Sequence, residues 1–346
     1  MNAVPMTTAT GLGPLPELLE AKESRKAVRK VFAAEGVPLA LAGERQHRVP
    51  LAALAGLFER AALRAGDPCF GLDVGLHMPP EEYGLWMRYA LQAPTLGTSL
   101  ARIIETLPVH QSGTAMRLAP RPDGRVAWEY RYPASWTGAY AQHTDHIIPV
   151  MIRAVRAYRG PDWTPEGVEV GYPAPGHVAD LEAATGAPWS FNRPCQAIVL
   201  PAADLRAERA AKVPGESRMP ATPLIALADV VAASTHAGSQ APVADIVSIV
   251  TLRLLEGRSD IDGAASLLGS GRRTIQRRLE AQGLTYRALV TQVRMCRARS
   301  LIEGTDASVK RIALELGYTD PAHFTRAFGN YFGFSPSRCR AGKNAG

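Results

Sequence analysis

At 346 residues the chain has room for two domains of ordinary size. Its 46% hydrophobic and 21% charged residues suit a globular protein, and the lack of any run of about 18 apolar residues excludes a helical membrane span. The formal net charge of +7 is unevenly placed: residues 241–346 hold 16 Lys and Arg against 9 Asp and Glu, while residues 1–240 balance at 23 of each. That segregation points to a polyanion partner for the last third of the chain alone.

Residues 1–14 read as a flexible tail without the basic and apolar regions of a secretory signal, so the expected location is the cytoplasm. Residues 16–35 carry Leu19, Val28, Val31 and Phe32 at helical spacing, and residues 49–65 carry Leu51, Leu54, Leu57 and Phe58. Gly66-Asp67-Pro68 stops the second helix. Residues 99–107 and 139–158 also read as helices. Residues 113–120 and 125–132 flank Arg121-Pro122-Asp123-Gly124, a strong turn signal, and so form a hairpin. Val126, Trp128 and Tyr130 alternate and share one face of its second strand. With strand-like residues 168–172 and 196–200, the first part of the chain is α+β.

Residues 201–240 change to Ala, Pro and Ser, with a short helix expected at 224–233 and a linker at 235–242. From Val243 only helix patterns and short turns occur. Two helix-turn-helix units can be read there. In the first, Ala264, Ala265, Leu267 and Leu268 give a short apolar-faced helix, Gly269-Ser270-Gly271 a tight turn, and residues 272–282 a second helix. Ile275 and Leu279, four apart, face inward. Arg273, Gln276 and Arg277 then lie on another face, where Arg suits guanine O6/N7 and Gln suits adenine N6/N7. Arg272 beside them is placed for a phosphate.

In the second unit Ser308 is an N-cap, Val309, Ile312, Ala313 and Leu316 supply the apolar face, and Gly317 ends the helix. Asp320-Pro321 starts the next helix, in which Phe324 and Phe328 point inward. Ala322, Thr325 and Arg326 are left for DNA, with His323 at the edge. Residues 285–303 between the units read as one helix of about 28 Å by rise alone. Recognition helices on one side of B-DNA sit about 34 Å apart.

Residues 243–340 resemble the DNA-binding domain of the AraC family of transcription regulators. The stretch IALELGYTDPAHFTRAFGNYFGFSPSRCR, ending at Arg340, carries the likeness in Gly317-Tyr318, Phe324, Arg326-Ala327-Phe328, Gly333 and Ser335-Pro336. LGSGRRTIQRRL, from Leu268 to Leu279, is similar to that family's first recognition helix, although Gly271 stands where Ser or Thr is usual and Cys339 where a large aromatic is common. The resemblance implies that Arg273, Gln276 and Arg277 enter one major groove and Ala322, Thr325 and Arg326 the next. Residues 16–200, through DPCFGLDVGLHMPPEEYGLWMRYALQAPTLG, look like the arabinose-binding-like sensor branch. That implies a small β-barrel core flanked by helices, a small-molecule effector of unknown identity, and dimerisation.

The expected organisation is a tail at 1–14, an effector and dimerisation domain at 15–200, a connecting helix and linker at 201–242, an all-α double helix-turn-helix domain at 243–340, and a tail at 341–346. Expected partners are double-stranded promoter DNA, the effector, RNA polymerase and a second copy of the chain, with no membrane and no cofactor. The expected function is a sequence-specific regulator, an activator rather than an enzyme.

Two other readings stay open. A DNA-alkyl acceptor enzyme would need a reactive cysteine, for which Pro194-Cys195-Gln196 is the foothold. An effector-independent DNA binder would leave some 200 residues unexplained. Cys69, Cys195, Cys296 and Cys339 are too scattered for a disulfide framework or zinc site. His143 and His146 share a helical face, but no third metal ligand accompanies them. Trp86, Arg88 and Tyr89 are candidates to line a pocket, and Glu105 and His110 have no assigned place. No effector residue is assigned.

Overall fold

A computed structural model describes residues 4–133, 136, 140–209, 243–305 and 307–343, which divide into one unit within Pro5–Ser239 and another made of Val4 and residues within Gln240–Gly346. The first unit begins where a flexible tail was expected. Met6–Thr8 is a strand, β1, paired antiparallel with β2 (Arg48–Pro50). Met6, Ala9 and Leu12 are buried, and that apolar content ties the segment down. Pairing with Thr7 also takes Val49 out of the expected helix, which begins as α3 at Leu51–Ala65.

The single helix expected at 16–35 is two, α1 (Leu15–Lys22) and α2 (Arg25–Ala34). Ser24 breaks them apart: its extended backbone lets the side chain accept from the Ala27 N–H at 3.2 Å, a new N-cap. Three helices were not foreseen: α4 (Phe70–Leu76), α5 (Leu85–Leu91) and, later, α8 (Val178–Thr185). Each is under nine residues, too short to show a clear period. α6 (Leu96–His110) extends the expected helix by three residues at each end, whereas α7 (Ala141–Arg159) starts two residues later than expected and ends one residue later.

The hairpin forms as expected, β3 (Ala115–Pro120) against β4 (Arg125–Arg131). With β5 (Gly167–Glu169), β6 (Trp189–Ser190) and β7 (Gln196–Pro201) it builds a five-stranded sheet in the order β3-β4-β7-β5-β6. The barrel implied by the resemblance is thus an open sheet among the described residues, with β3 and β6 at its edges. Register aligns Leu118, Trp128, Ile198, Val168 and Trp189 in one row across all five strands. That row belongs to the main core, together with residues of α5, α6 and α7. Helix α4 lies hard against α7: a Cβ on Gly71 or Gly75 would sit 2.0 or 2.3 Å from the Gln142 or His146 carbonyl oxygen, so only glycine permits the approach.

The unit continues past the expected limit at residue 200. A short 3-10 turn at Ala202–Arg206 buries Asp204, which binds Trp163 Nε1 at 2.9 Å and Arg159 at 3.0 Å. Glu208 then bridges to Thr95. The short helix at 224–233 and the linker at 235–242 lie outside the described residues.

The second unit is helical throughout its described residues: α9 (Ala244–Leu254), α10 (Ile261–Leu267), α11 (Arg272–Glu280), α12 (Tyr286–Gly304), α13 (Val309–Glu315), α14 (Pro321–Phe332) and α15 (Pro336–Lys343). α12 packs against α9, α11, α13 and α15, so it joins both halves.

Candidate nucleic-acid interface and effector cavity

In the first helix-turn-helix the Asp260 carboxylate caps α10 by accepting from Gly263 N–H at 2.7 Å. Gly269, with φ of +54°, makes the turn. α11 then buries Ile275 and Leu279 and leaves Arg272, Arg273, Gln276 and Arg277 exposed. Arg272 meets Asp262 at 3.2 Å, an exposed pair of little strength. Arg273 and Arg277 have no ion pair among the described residues. Gly271 supplies the N-cap without a side-chain bond.

Sequence reasoning passed over Arg278. It is half-buried and forks onto Asp245 of α9 at 2.6 and 2.8 Å, and Asp245 is itself buried. It therefore positions α11 rather than facing solvent. Its place three residues after Ile275 and next to Leu279 was the available signal.

In the second unit Asp320 caps α14 through Ala322 N–H at 2.8 Å, with Pro321 at the first position. Phe324 and Phe328 are buried; Ala322, His323, Thr325 and Arg326 are exposed. His323 packs edge-on against Tyr318 at 5.8 Å, and the Thr325 hydroxyl donates to the Pro321 carbonyl at 3.0 Å. Both sets of four expected DNA residues thus lie on the solvent side of their helices. Cys339 packs, partly buried, against the core of this unit.

The first unit holds a cavity that the sequence did not disclose. It contains about 530 Å³ of atom-free space, its mouth included. Tyr83, Trp86, Trp128 and Tyr130 give it aromatic walls, and Leu107, Val150 and Met151 aliphatic ones. Thr7, His110, Gln111 and His143 are polar groups at its surface. These residues come from segments scattered between β1 and α7, so no local motif marks them. Trp86 is there as suspected, and His110 gains a place. Arg88 and Tyr89 are not in the lining, Tyr89 stacking instead on the Arg102 guanidinium at 4.6 Å, and Glu105 is exposed.

The polar groups are mostly paired with one another. Gln111 Nε2 donates to Tyr130 Oη at 2.6 Å, and His143 Nδ1 lies 2.7 Å from Tyr132 Oη. His110 Nδ1 lies 2.6 Å from the Thr8 hydroxyl, and its ring stacks on Trp86 at 5.0 Å. Burial lowers the pKa of both His110 and His143 to about 3, with Arg48 adding to the effect on His110. Both imidazoles are therefore neutral near pH 7. Arg48 is buried, donates to the Val109 and Met6 carbonyls at 3.4 Å each, and is itself lowered to about 10 by burial.

Residues 27–208 match the arabinose-binding domain found at the N-terminus of AraC transcription regulators, just over half of the chain, and residues 264–342 match a helix-turn-helix domain. The chain belongs to the AraC family of transcription regulators. Among its relatives, the HTH-type transcriptional activator RhaS of Escherichia fergusonii is 38% identical over 74 residues, 21% of this chain and 27% of that protein. RhaS of Klebsiella pneumoniae is 39% identical over 74 residues, with the same coverage. The chain thus spans about a quarter of the length of the curated relatives it matches. The crystal structure of transcriptional regulator CdpR from Pseudomonas aeruginosa is 21% identical, covers 91% of this chain and 97% of that one, and has a TM-score of 0.40.

In this AraC-family regulator Cys195 is buried, and burial together with the Glu129 carboxylate pushes its thiol up. That environment disfavours the thiolate an alkyl acceptor needs. His146, the partner of His143 in the metal reading, has its Nε2 2.9 Å from Tyr83 Oη.

Proposed function

We propose that this regulator is a ligand-controlled activator whose monomer sets α11 and α14 in successive major grooves of promoter DNA. The observation that carries the reading is the exposure of Arg273, Gln276 and Arg277 on one helix and of Thr325 and Arg326 on the other, each opposite a buried apolar pair. Arg273 and Arg326 suit guanine, Gln276 adenine, and Ala322 with the Thr325 methyl a thymine methyl. Arg272 exchanges Asp262 for a phosphate, and His323 borders the second site. The cavity of the first unit is the effector site. A ligand changes regulation only if it binds one arrangement of the protein better than another. Dimerisation and contact with RNA polymerase complete the reading, and the place of action is the cytoplasm, with the chromosome. RhaS bears the name of an activator, which supports that sign here.

Arg326→Ala and Arg273→Ala are each expected to weaken specific binding by about 1–3 kcal/mol, at base pairs one helical turn apart. Footprints that lose the same base pairs in both variants would end the two-groove arrangement. For the effector, a thermal-shift screen of a broad metabolite panel on the full chain should give a rise of the first transition. No rise from any compound would end the effector reading.

A further inference from the structure

The cavity has a chemistry of its own, and it does not fit the sugar in the name of the matching domain. No Lys, Arg, Asp or Glu lines it among the described residues. Its walls are rings and aliphatic side chains, and its two histidines are uncharged. Several polar groups at its surface already bond to protein partners. Two indole N–H groups of lining residues, enclosed just beneath that surface, do not. Trp86 Nε1 and Trp128 Nε1 are buried with no hydrogen-bond partner, in side chains 5% and 1% exposed, and both residues line the cavity. An indole N–H can only donate, so what it lacks is an acceptor.

Resting on the effector reading above, we propose that the cavity binds a small, uncharged, largely apolar molecule of about one ring, carrying a hydrogen-bond acceptor such as a carbonyl that takes the Trp86 and Trp128 N–H groups. A pentose bears a hydroxyl on nearly every carbon, and each would lose water without finding a free partner among rings and methionines. A zwitterionic or cationic amino acid would bury its ammonium with no carboxylate in the wall. The Arg48 guanidinium, held behind the Thr7 and His110 wall by the Met6 and Val109 carbonyls, adds repulsion against any cation. An uncharged acceptor satisfies the two indoles and asks for nothing the wall lacks.

The test titrates the full chain with acetophenone, toluene, benzoate, L-arabinose and L-phenylalanine, reading thermal shift, calorimetric affinity and tryptophan fluorescence. Acetophenone is expected to bind, and to bind tighter than toluene by roughly 5- to 100-fold, the worth of two neutral hydrogen bonds. In Trp86→Phe and Trp128→Phe that preference should shrink toward unity. The ratio of the two ligands is the quantity to follow, because packing lost in either variant weakens both alike. Arabinose and phenylalanine should leave the melting temperature unchanged. Tighter binding of arabinose, phenylalanine or benzoate than of acetophenone would overturn the ligand class and leave the effector site standing. A preference for acetophenone that survives both substitutions would overturn the indole contacts. If none of the five binds, the ligand class falls, and the effector reading falls with it only if the metabolite panel is also silent.

Discussion

The first helix-turn-helix unit is tied by ion pairs where the second is filled with rings. In the first, Arg278 of α11 reaches Asp245 of α9, and Arg253 of α9 holds Asp260, the N-cap of α10. In the second, Phe328 lies against Phe324, Phe332 and Phe334 with ring centroids 5.8, 4.7 and 6.1 Å apart, over Met295, Ile302 and Leu316. The reason lies in what each recognition helix can bury. α11 has nine residues and buries two aliphatic side chains, whereas α14 has twelve and buries phenylalanines. Each buried phenylalanine removes about 150–250 Å² from water. A helix with little apolar area leaves its orientation to directional contacts, and a bidentate arginine supplies them. The two recognition helices are thus held by forces that respond differently to substitution and to pH.

The largest separation should come from Phe328→Ala, which empties the middle of the ring cluster and is expected to cost about 3–5 kcal/mol. Amide exchange should show the loss in α13 and α14 first. If α10 and α11 open equally, the two halves are one cooperative unit and differ only in the chemistry of their contacts. Arg278→Ala should follow at about 3 kcal/mol, because it strands the buried Asp245 carboxylate. The double change Asp245→Leu with Arg278→Met removes the stranded charge and should recover most of that stability by denaturant unfolding. If it does so while DNA affinity stays low, the pair is a positioning device for α11 rather than a source of stability.

Acid offers a third cut. The Gly263 N–H above all, helped by the Arg253 guanidinium, holds the Asp260 carboxyl below its ordinary range against the opposing effect of burial. Its stabilisation is complete above the unfolded value of about 3.9 and is lost as pH falls through the lower folded value. In the second half the Asp320 cap of α14 and the Glu315 partner of Arg297 are exposed, and the buried cluster that holds the helices together is apolar. Lowering pH from about 5 to about 3 should therefore reduce amide protection in α10 before α14. Simultaneous loss would show that the ion pairs do not set the stability of the first half.

Much of this was legible in the chain because it is local. The Ile275 and Leu279 pair, the Phe324 and Phe328 pair, the Asp320-Pro321 start and the Arg121–Gly124 turn each declare themselves within a few residues, and each is where the periodicity predicts. What stayed hidden depends on distant partners. Ser24 divides one helical pattern into two because a cap bond competes with continuation. Arg278 looks like its neighbours Arg272, Arg273 and Arg277 until Asp245, some thirty residues earlier, is folded beside it. The cavity is assembled from Thr7, Trp86, His110, Trp128 and His143, which share no spacing at all. Gly71 and Gly75 could be read as helix breakers, yet they sit in α4 because α7 passes too close for any side chain.

The smallest effect is also the one that isolates the first half most cleanly. Asp320 caps α14, but Gly271 leaves α11 without a side-chain cap. Its backbone, with φ −81° and ψ 151°, already has the extended geometry of an N-cap, and a Cβ built there meets nothing within 4 Å. Gly271→Ser therefore adds an acceptor for the free N–H groups of the first turn at no steric cost. The expected gain is a few tenths of a kcal/mol. It should appear as slower exchange in α11 with α14 unchanged, and as a slightly higher thermal midpoint. A serine that stabilises by this amount yet weakens operator binding would mean that the first-turn N–H groups meet DNA phosphate, so that the glycine keeps that helix end free for its partner. A serine without effect on either would mean that Arg278 and Asp245 already fix α11 so firmly that its N-terminus contributes nothing further.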